Sequence, residues 1–219
     1  MFETTSIFLN QLQQNNNKIW FDQNRARYEE IKLEFSNFVG EILFEISKFD
    51  SILQLLSVKD CLYRINRDVR YSKDKSPYKT NIGAVFLANG KNGSAPGYYF
   101  QIQPDNKIMI GGGHFQPTPA QLSKIRKYIQ ENPEKLRKII NSNKFIEIYN
   151  SLSDISDLKT HPKGYSSDDV NIDLLKHTNF VVSEVYNLSD FSRDALQEKI
   201  LENFKVLNPL ILFLRDSLK

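Results

Sequence analysis

The 219-residue sequence predicts an α+β fold: an antiparallel meander sheet flanked by a long N-terminal helix and C-terminal helices. Two observations carry this prediction. Apolar residues recur at three- and four-residue steps near both ends, and between residues 80 and 110 they give way to short β-branched or aromatic runs separated by turn residues. The length suits a single domain spanning residues 1–219, enough chain to bury about two thirds of its unfolded surface.

Taken in order, Ser6 is placed to cap a short helix carrying Ile7, Phe8, Leu9 and Leu12, which ends in the polar run of residues 13–17. Ile19, Trp20, Tyr28, Ile31, Phe35, Phe38, Ile42, Leu43 or Phe44, Ile46 and Phe49 then describe one amphipathic helix over residues 18–49. Unbroken, it would run about 45 Å. Residues 80–88, 97–103 and 107–110 read as strands, joined by Asn89-Gly90, Asn92-Gly93 and Pro104-Asp105-Asn106. Residues 63–70 lead into this sheet as a strand or as a loop beside its edge.

Gly111-Gly112-Gly113 is expected to end the sheet in a bulge or tight bend. Thr118 with Gln121 fits a capping box, and Pro119 occupies the first helical position behind it. Asn132-Pro133 opens another helix, and residues 145–152 form a shorter one. A loop over residues 153–169 precedes a helical stretch at 170–176 and a strand at 180–186. Two final helices are expected, one over residues 191–206 and one begun by Asn208-Pro209.

A formal net charge of +3 is too mild to imply nucleic acid from bulk electrostatics. The single cysteine, Cys61, excludes an internal disulfide and reads as a buried, inert thiol in a reducing compartment. No segment is apolar enough to span a bilayer, and Met1-Phe2-Glu3 lacks the basic start of a signal peptide, so a cytoplasmic location without membrane partners is expected.

The most informative stretch is residues 64–79. It holds three arginines, three lysines and two aspartates, a net +4 that leaves the rest of the chain at −1. Arg64, Arg67, Arg70, Lys73, Lys75 and Lys79 are therefore candidates to bind an anionic small molecule, the guanidinium forks gripping phosphate or carboxylate and the lysines adding point charge. Ser76-Pro77 disfavours a helix there, so a strand leading into an ordered loop is expected. Trp20, Asn24 and Arg25, at the start of the long helix, are candidates for a second wall. The competing reading is structural: Arg67 with Asp68, and Lys73 with Asp74, pin an irregular loop over Tyr71 and Tyr78.

A hydrolase or transferase acting on the same ligand would use Asp68 or Asp74 as general base and Tyr78 or His114 as acid. Nucleic-acid binding ranks third, motivated by Tyr63, Tyr71 and Tyr78 interleaved with cations. Metal-ligand spacing is absent, the glycine run lacks the lysine and hydroxyl of a P-loop, and no cofactor is implied. His161 and His177 read as solvent-facing or helix-end residues. Oligomeric state is not written in any of these motifs.

Four ordered strings add a resemblance. They are residues 15–21, Asn-Asn-Asn-Lys-Ile-Trp-Phe; residues 67–80, from Arg67-Asp68-Val69-Arg70 through Lys75-Ser76-Pro77-Tyr78-Lys79-Thr80; Gly111-Gly112-Gly113 with Pro117; and Lys163-Gly164-Tyr165. Together they resemble the uncharacterised bacterial family called domain of unknown function 2461. The resemblance implies a stand-alone domain of this length with no established activity, cofactor or catalytic set. It also implies an Asp-His-Pro string after Gly164, where this chain reads Asp168-Asp169-Val170.

Overall fold

The computed structural model describes residues 2–154 and 156–219. Helix α1 (Glu3–Gln14) begins before the expected cap, and Ser6 lies buried within it. Its hydroxyl accepts the Asn106 backbone N–H at 2.7 Å and donates to the Gln103 carbonyl at 3.3 Å, so a residue suited to capping fastens α1 to a turn of the sheet instead. Helix α2 (Lys18–Gln23) is capped by the Asn17 side chain, which accepts from the Trp20 N–H at 3.0 Å.

The expected continuous helix over residues 18–49 is interrupted at Asn24, beyond which α3 (Arg25–Ile46) begins. Asn24 leaves helical geometry at φ −106° and ψ 13°, and its side chain turns back to donate to the Trp20 carbonyl at 2.9 Å. A short side-chain amide that competes for backbone partners is the local cause of the break. The buried stripe of α3 then runs from Tyr28 to Ile46, with Leu43 turned inward at 7 % exposure and Phe44 outward at 67 %. A 3-10 turn (Ser51–Leu55) and the short α4 (Val58–Cys61) lead toward the sheet.

Strands β1 (Ile82–Leu87), β2 (Gly97–Gln103), β3 (Lys107–His114) and β4 (Phe180–Asn187) form an antiparallel sheet in the order β1-β2-β3-β4. The turn between β2 and β3 places Asp105 and Asn106 at φ 57° and 56°, the conformation that matches the twist of a two-residue hairpin. The glycine run does not end the sheet. Gly111, Gly112 and Gly113 pair with β2 on one side and β4 on the other. A Cβ on Gly112 would lie 2.5 Å from the Gly97 carbonyl oxygen and 3.2 Å from Leu207, so strand and helix approach too closely there for any side chain.

Beyond the sheet come α5 (Pro119–Glu131), with the Thr118–Gln121 capping box in place, and α6 (Pro133–Ile140), α7 (Asn143–Tyr149) and α8 (Ile172–Leu175). The last helix, α9 (Arg193–Asp216), is single and passes through Pro209, where two helices were expected. Lys205, whose carbonyl would have accepted the missing proline N–H, and Pro209 itself are both exposed, so water can satisfy the freed acceptor. Among the described residues no helix is long and apolar enough to cross a membrane.

Helices α3 and α9 cover one face of the sheet. Phe35 and Phe38 of α3 reach Phe100 of β2 with ring centroids 5.5 and 6.0 Å apart, and Phe204 of α9 lies 5.0 Å from Tyr98. A buried ionic knot fixes the same layers. The Asp50 carboxylate accepts from Arg215 Nη1 at 2.7 and 2.8 Å and from the Tyr98 hydroxyl at 3.0 Å, and Asn208 donates to that hydroxyl at 2.7 Å. Asp50→Ala strands a buried guanidinium and is expected to cost about 3–5 kcal/mol in urea unfolding, whereas Asp50→Ala/Arg215→Met, which removes both charges, recovers a large part of that loss.

Candidate functional site

Of the two forms expected for residues 63–70, a strand or a loop beside the sheet edge, the structure takes the second: the segment leaves the free edge of β1 after a brief contact. Leu62 bridges to Ala84 and the Tyr63 N–H reaches the Gly83 carbonyl at 3.3 Å, after which the chain leaves the edge. It folds back on itself at Tyr78, which bridges to Asn66. The Arg67 N–H donates to the Pro77 carbonyl at 2.9 Å and the Lys79 N–H to the Ile65 carbonyl at 2.7 Å, closing a loop at its neck. Asn16 clamps the neck from outside: its side chain donates to the Tyr78 carbonyl at 2.9 Å and accepts the Tyr78 N–H at 3.0 Å. The Tyr78 ring stacks on Phe21 with centroids 4.0 Å apart.

Within the loop, both aspartates are occupied by neighbours. Asp68 accepts from Arg70 Nε at 2.9 Å and Nη2 at 2.6 Å, bonds that pull its pKa down to about 2. Asp74 accepts from the Ser76 hydroxyl at 2.6 Å and its N–H at 2.9 Å, and pairs with Arg67; these contacts, Ser76 foremost, hold it below the usual carboxylate range. Neither is a serviceable proton acceptor near neutral pH. Lys75 donates to the Val69 carbonyl at 2.9 Å, and Lys73 and Tyr71 extend into solvent, Tyr71 being 96 % exposed.

The six expected cations therefore divide. Arg64 and Lys79 face a groove of about 650 Å³ between α2, α3 and the edge segment that enters β1. Arg67 borders a smaller neighbouring hollow together with Asp74, Tyr78 and Lys79. Arg70, Lys73 and Lys75 belong to the outer loop and line neither space. Trp20 packs on Phe8 at 5.6 Å and Asn24 makes the helix junction, so both shape α2 without lining the groove.

The groove draws further cations from segments outside residues 64–79. Lys18, Arg25 and Lys32 come from α2 and α3, and Lys59 and Lys91 from the connections on either side of β1. Against these seven cationic side chains stands one lining carboxylate, Glu29, which accepts from Lys32 at 3.0 Å. Asp22 just outside it serves Lys18 and Arg25. Arg64, Lys59, Lys79 and Lys91 form no ion pair among the described residues. Lys79 is half-buried, its ammonium 4.8 Å above the Tyr63 ring, and burial together with the Arg64 charge lowers its pKa. The seven-residue steps from Lys18 to Arg25 to Lys32 were readable in the sequence as one helical face; Lys59 and Lys91 carried no such signal.

His114 is remote from this groove. Held at the end of β3, it is 1 % exposed, with Nε2 3.3 Å from the Ser94 hydroxyl and Nδ1 without a partner among the described residues. A candidate acid in the sequence, it is packed inward in the structure. Desolvation lowers its pKa to about 4, so it is a neutral imidazole at neutral pH. Among the described residues no group of three or more His, Cys, Asp or Glu side chains gathers as a metal site.

The family model described as Conserved hypothetical protein (DUF2461) matches residues 4–213, and the chain belongs to that family. No curated protein and no solved structure matches it.

The depressed His114 pKa has a definite linkage sign. The unfolded chain protonates this imidazole near pH 6.5 and the folded one only near 4, so its contribution to stability is complete above pH 6.5 and is lost as pH falls toward 4. The loss is on the order of 3 kcal/mol. Urea unfolding at pH 7 and pH 4.5 is expected to show a smaller acid-induced decline in His114→Gln than in the parent.

Proposed function

We propose that this member of a conserved hypothetical family binds a phosphorylated or carboxylated small molecule in the groove between α3 and the edge of β1. Arg64 and Lys79 supply the contacts from the basic segment, and Arg25, Lys32, Lys59 and Lys91 complete the field. The observation that carries the reading is the imbalance of the lining, seven cations around one carboxylate, in a concavity large enough for a small ligand. Like charges gathered in this way are relieved by an anion that takes guanidinium and ammonium hydrogen bonds together. The neck bonds at Asn16, Arg67 and Lys79 give the contributing backbone a fixed position. A single thiol, Cys61, fully buried and pushed up to about 12 by desolvation, suits a reducing, cytoplasmic setting.

A hydrolase or transferase at the same place has less support. Asp68 and Asp74, its candidate bases, are held ionised by their own loop, and His114 lies elsewhere. Nucleic-acid binding has less again, because Tyr78 is already stacked on Phe21 and Tyr71 stands alone on the outer loop.

Calorimetric titration with pyrophosphate at low ionic strength is the test. The parent is expected to bind, Arg64→Ala/Lys79→Ala to bind at least about tenfold more weakly given the usual strength of charge-assisted hydrogen bonds, and Arg70→Ala to match the parent. Equal affinities in all three proteins, or no heat from the parent with pyrophosphate, nucleotides or dicarboxylates, would remove the proposal.

A further inference from the structure

We propose that the Lys79 side-chain amine is a nucleophile that condenses reversibly with the carbonyl group of an aldehyde or ketone bearing a phosphate or carboxylate, held in the groove. This rests on the anion-binding reading above and adds a covalent step to it. The other groove lysines are committed or exposed: Lys18 pairs with Asp22, Lys32 with Glu29, Lys91 donates to the Lys59 carbonyl at 2.5 Å, and the Lys59 side chain is exposed to water. Lys79 alone combines partial burial, an aromatic floor and a cationic neighbour. Its Nζ lies 4.8 Å over the Tyr63 ring, no carboxylate pairs with it among the described residues, and Arg64 lines the same wall.

Chemistry follows from that setting. An ammonium that is desolvated and next to another cation releases its proton more readily, which leaves a larger share of free amine to attack. The base of the side chain is fixed by the Lys79 N–H bond to Ile65 and by the Asn16 clamp on the preceding residue, so the amine approaches the groove from a constant direction. In the step itself, the Lys79 lone pair forms a C–N bond to the carbonyl carbon while the π pair moves to oxygen. The oxygen takes a proton, the nitrogen loses one, and departure of water leaves the imine. Oxidation states are unchanged overall. Arg64 and Lys59 are placed to hold the phosphate or carboxylate, and the tyrosine face excludes water from one side of the amine.

Pyridoxal 5′-phosphate, which carries an aldehyde and a phosphate, is the probe. The intact protein is treated with a limiting amount of it and with sodium cyanoborohydride, which delivers hydride to the imine carbon and fixes it as a secondary amine. Peptide mass spectrometry then reads the modified lysine. The expected result is labelling at Lys79 several-fold above the exposed Lys73 and Lys75, suppressed by pyrophosphate, lost in Lys79→Arg and retained in Arg70→Ala, whose side chain lies outside the groove. Labelling spread over exposed lysines with Lys79 spared, in a protein that binds pyrophosphate, would overturn the amine's role and leave the anion reading standing. Absence of pyrophosphate binding would overturn both.

Discussion

Mutual repulsion among the cations of one groove is the constraint around which this part of the molecule is organised. Lys18, Arg25 and Lys32 are partly neutralised by Asp22 and Glu29, but Arg64, Lys59, Lys79 and Lys91 line the groove with no direct ion pair among the described residues, Asp60 acting on Lys59 and Lys91 and Asp68 on Arg64 only at longer range. Such an arrangement opposes folding, and it persists because the scaffold on either side is over-determined. Behind α3, the stripe from Tyr28 to Ile46 is buried against the sheet, and across the groove the segment bearing Arg64 and Lys79 is tied to β1 and to Asn16. Stability spent on a local conflict of charge is a common mark of a functional site.

The edge of the sheet makes the groove possible. Among the described residues β1 pairs as a strand with β2 alone, and the chain before it offers its edge one isolated bridge, Leu62 to Ala84, where a fifth strand would have offered a ladder. Leaving the edge so early opens the space into which Lys59, Lys91 and Lys79 project. The outer loop, by contrast, is a self-contained unit. Its two aspartates are bound to Arg70, Arg67 and Ser76, while Lys73 and Lys75 keep their charges in the exposed part of the loop. The internal pairs expected in the basic segment, Arg67 with Asp68 and Lys73 with Asp74, are replaced by Arg67 with Asp74 and Arg70 with Asp68, and the proposed ligand contacts fall instead on Arg64 and Lys79.

Much of the architecture was legible because it depends on local chemistry. Turn residues delimited β2 over residues 97–103 as observed, and the Thr118 capping box and Pro119 marked the start of α5. Two of the misreadings, at the glycine run and at Ser6, share a cause: a local signal was overruled by a distant partner. Gly111 to Gly113 looked like the end of a strand, yet the glycines serve close approach to β2, β4 and Leu207 of α9. Pro209 looked like a helix start, yet α9 runs through it at an exposed position. Ser6 looked like a cap and ties two elements together. The site divides in the same way. An excess of positive charge over residues 64–79 is a property of the sequence, but which heads find a carboxylate depends on the fold of the loop, and Lys59 and Lys91 join the groove only through the path of the chain around β1.

If cation crowding is the determinant, relieving it must stabilise the ligand-free protein. Urea unfolding of the parent and of Arg64→Met, in anion-poor buffer at low ionic strength where screening is weakest, measures this directly. The account predicts a higher midpoint for the variant, with a gap that closes as sodium chloride is added. A lower midpoint for Arg64→Met, or a gap indifferent to salt, would show that Arg64 is a structural residue and would contradict the account.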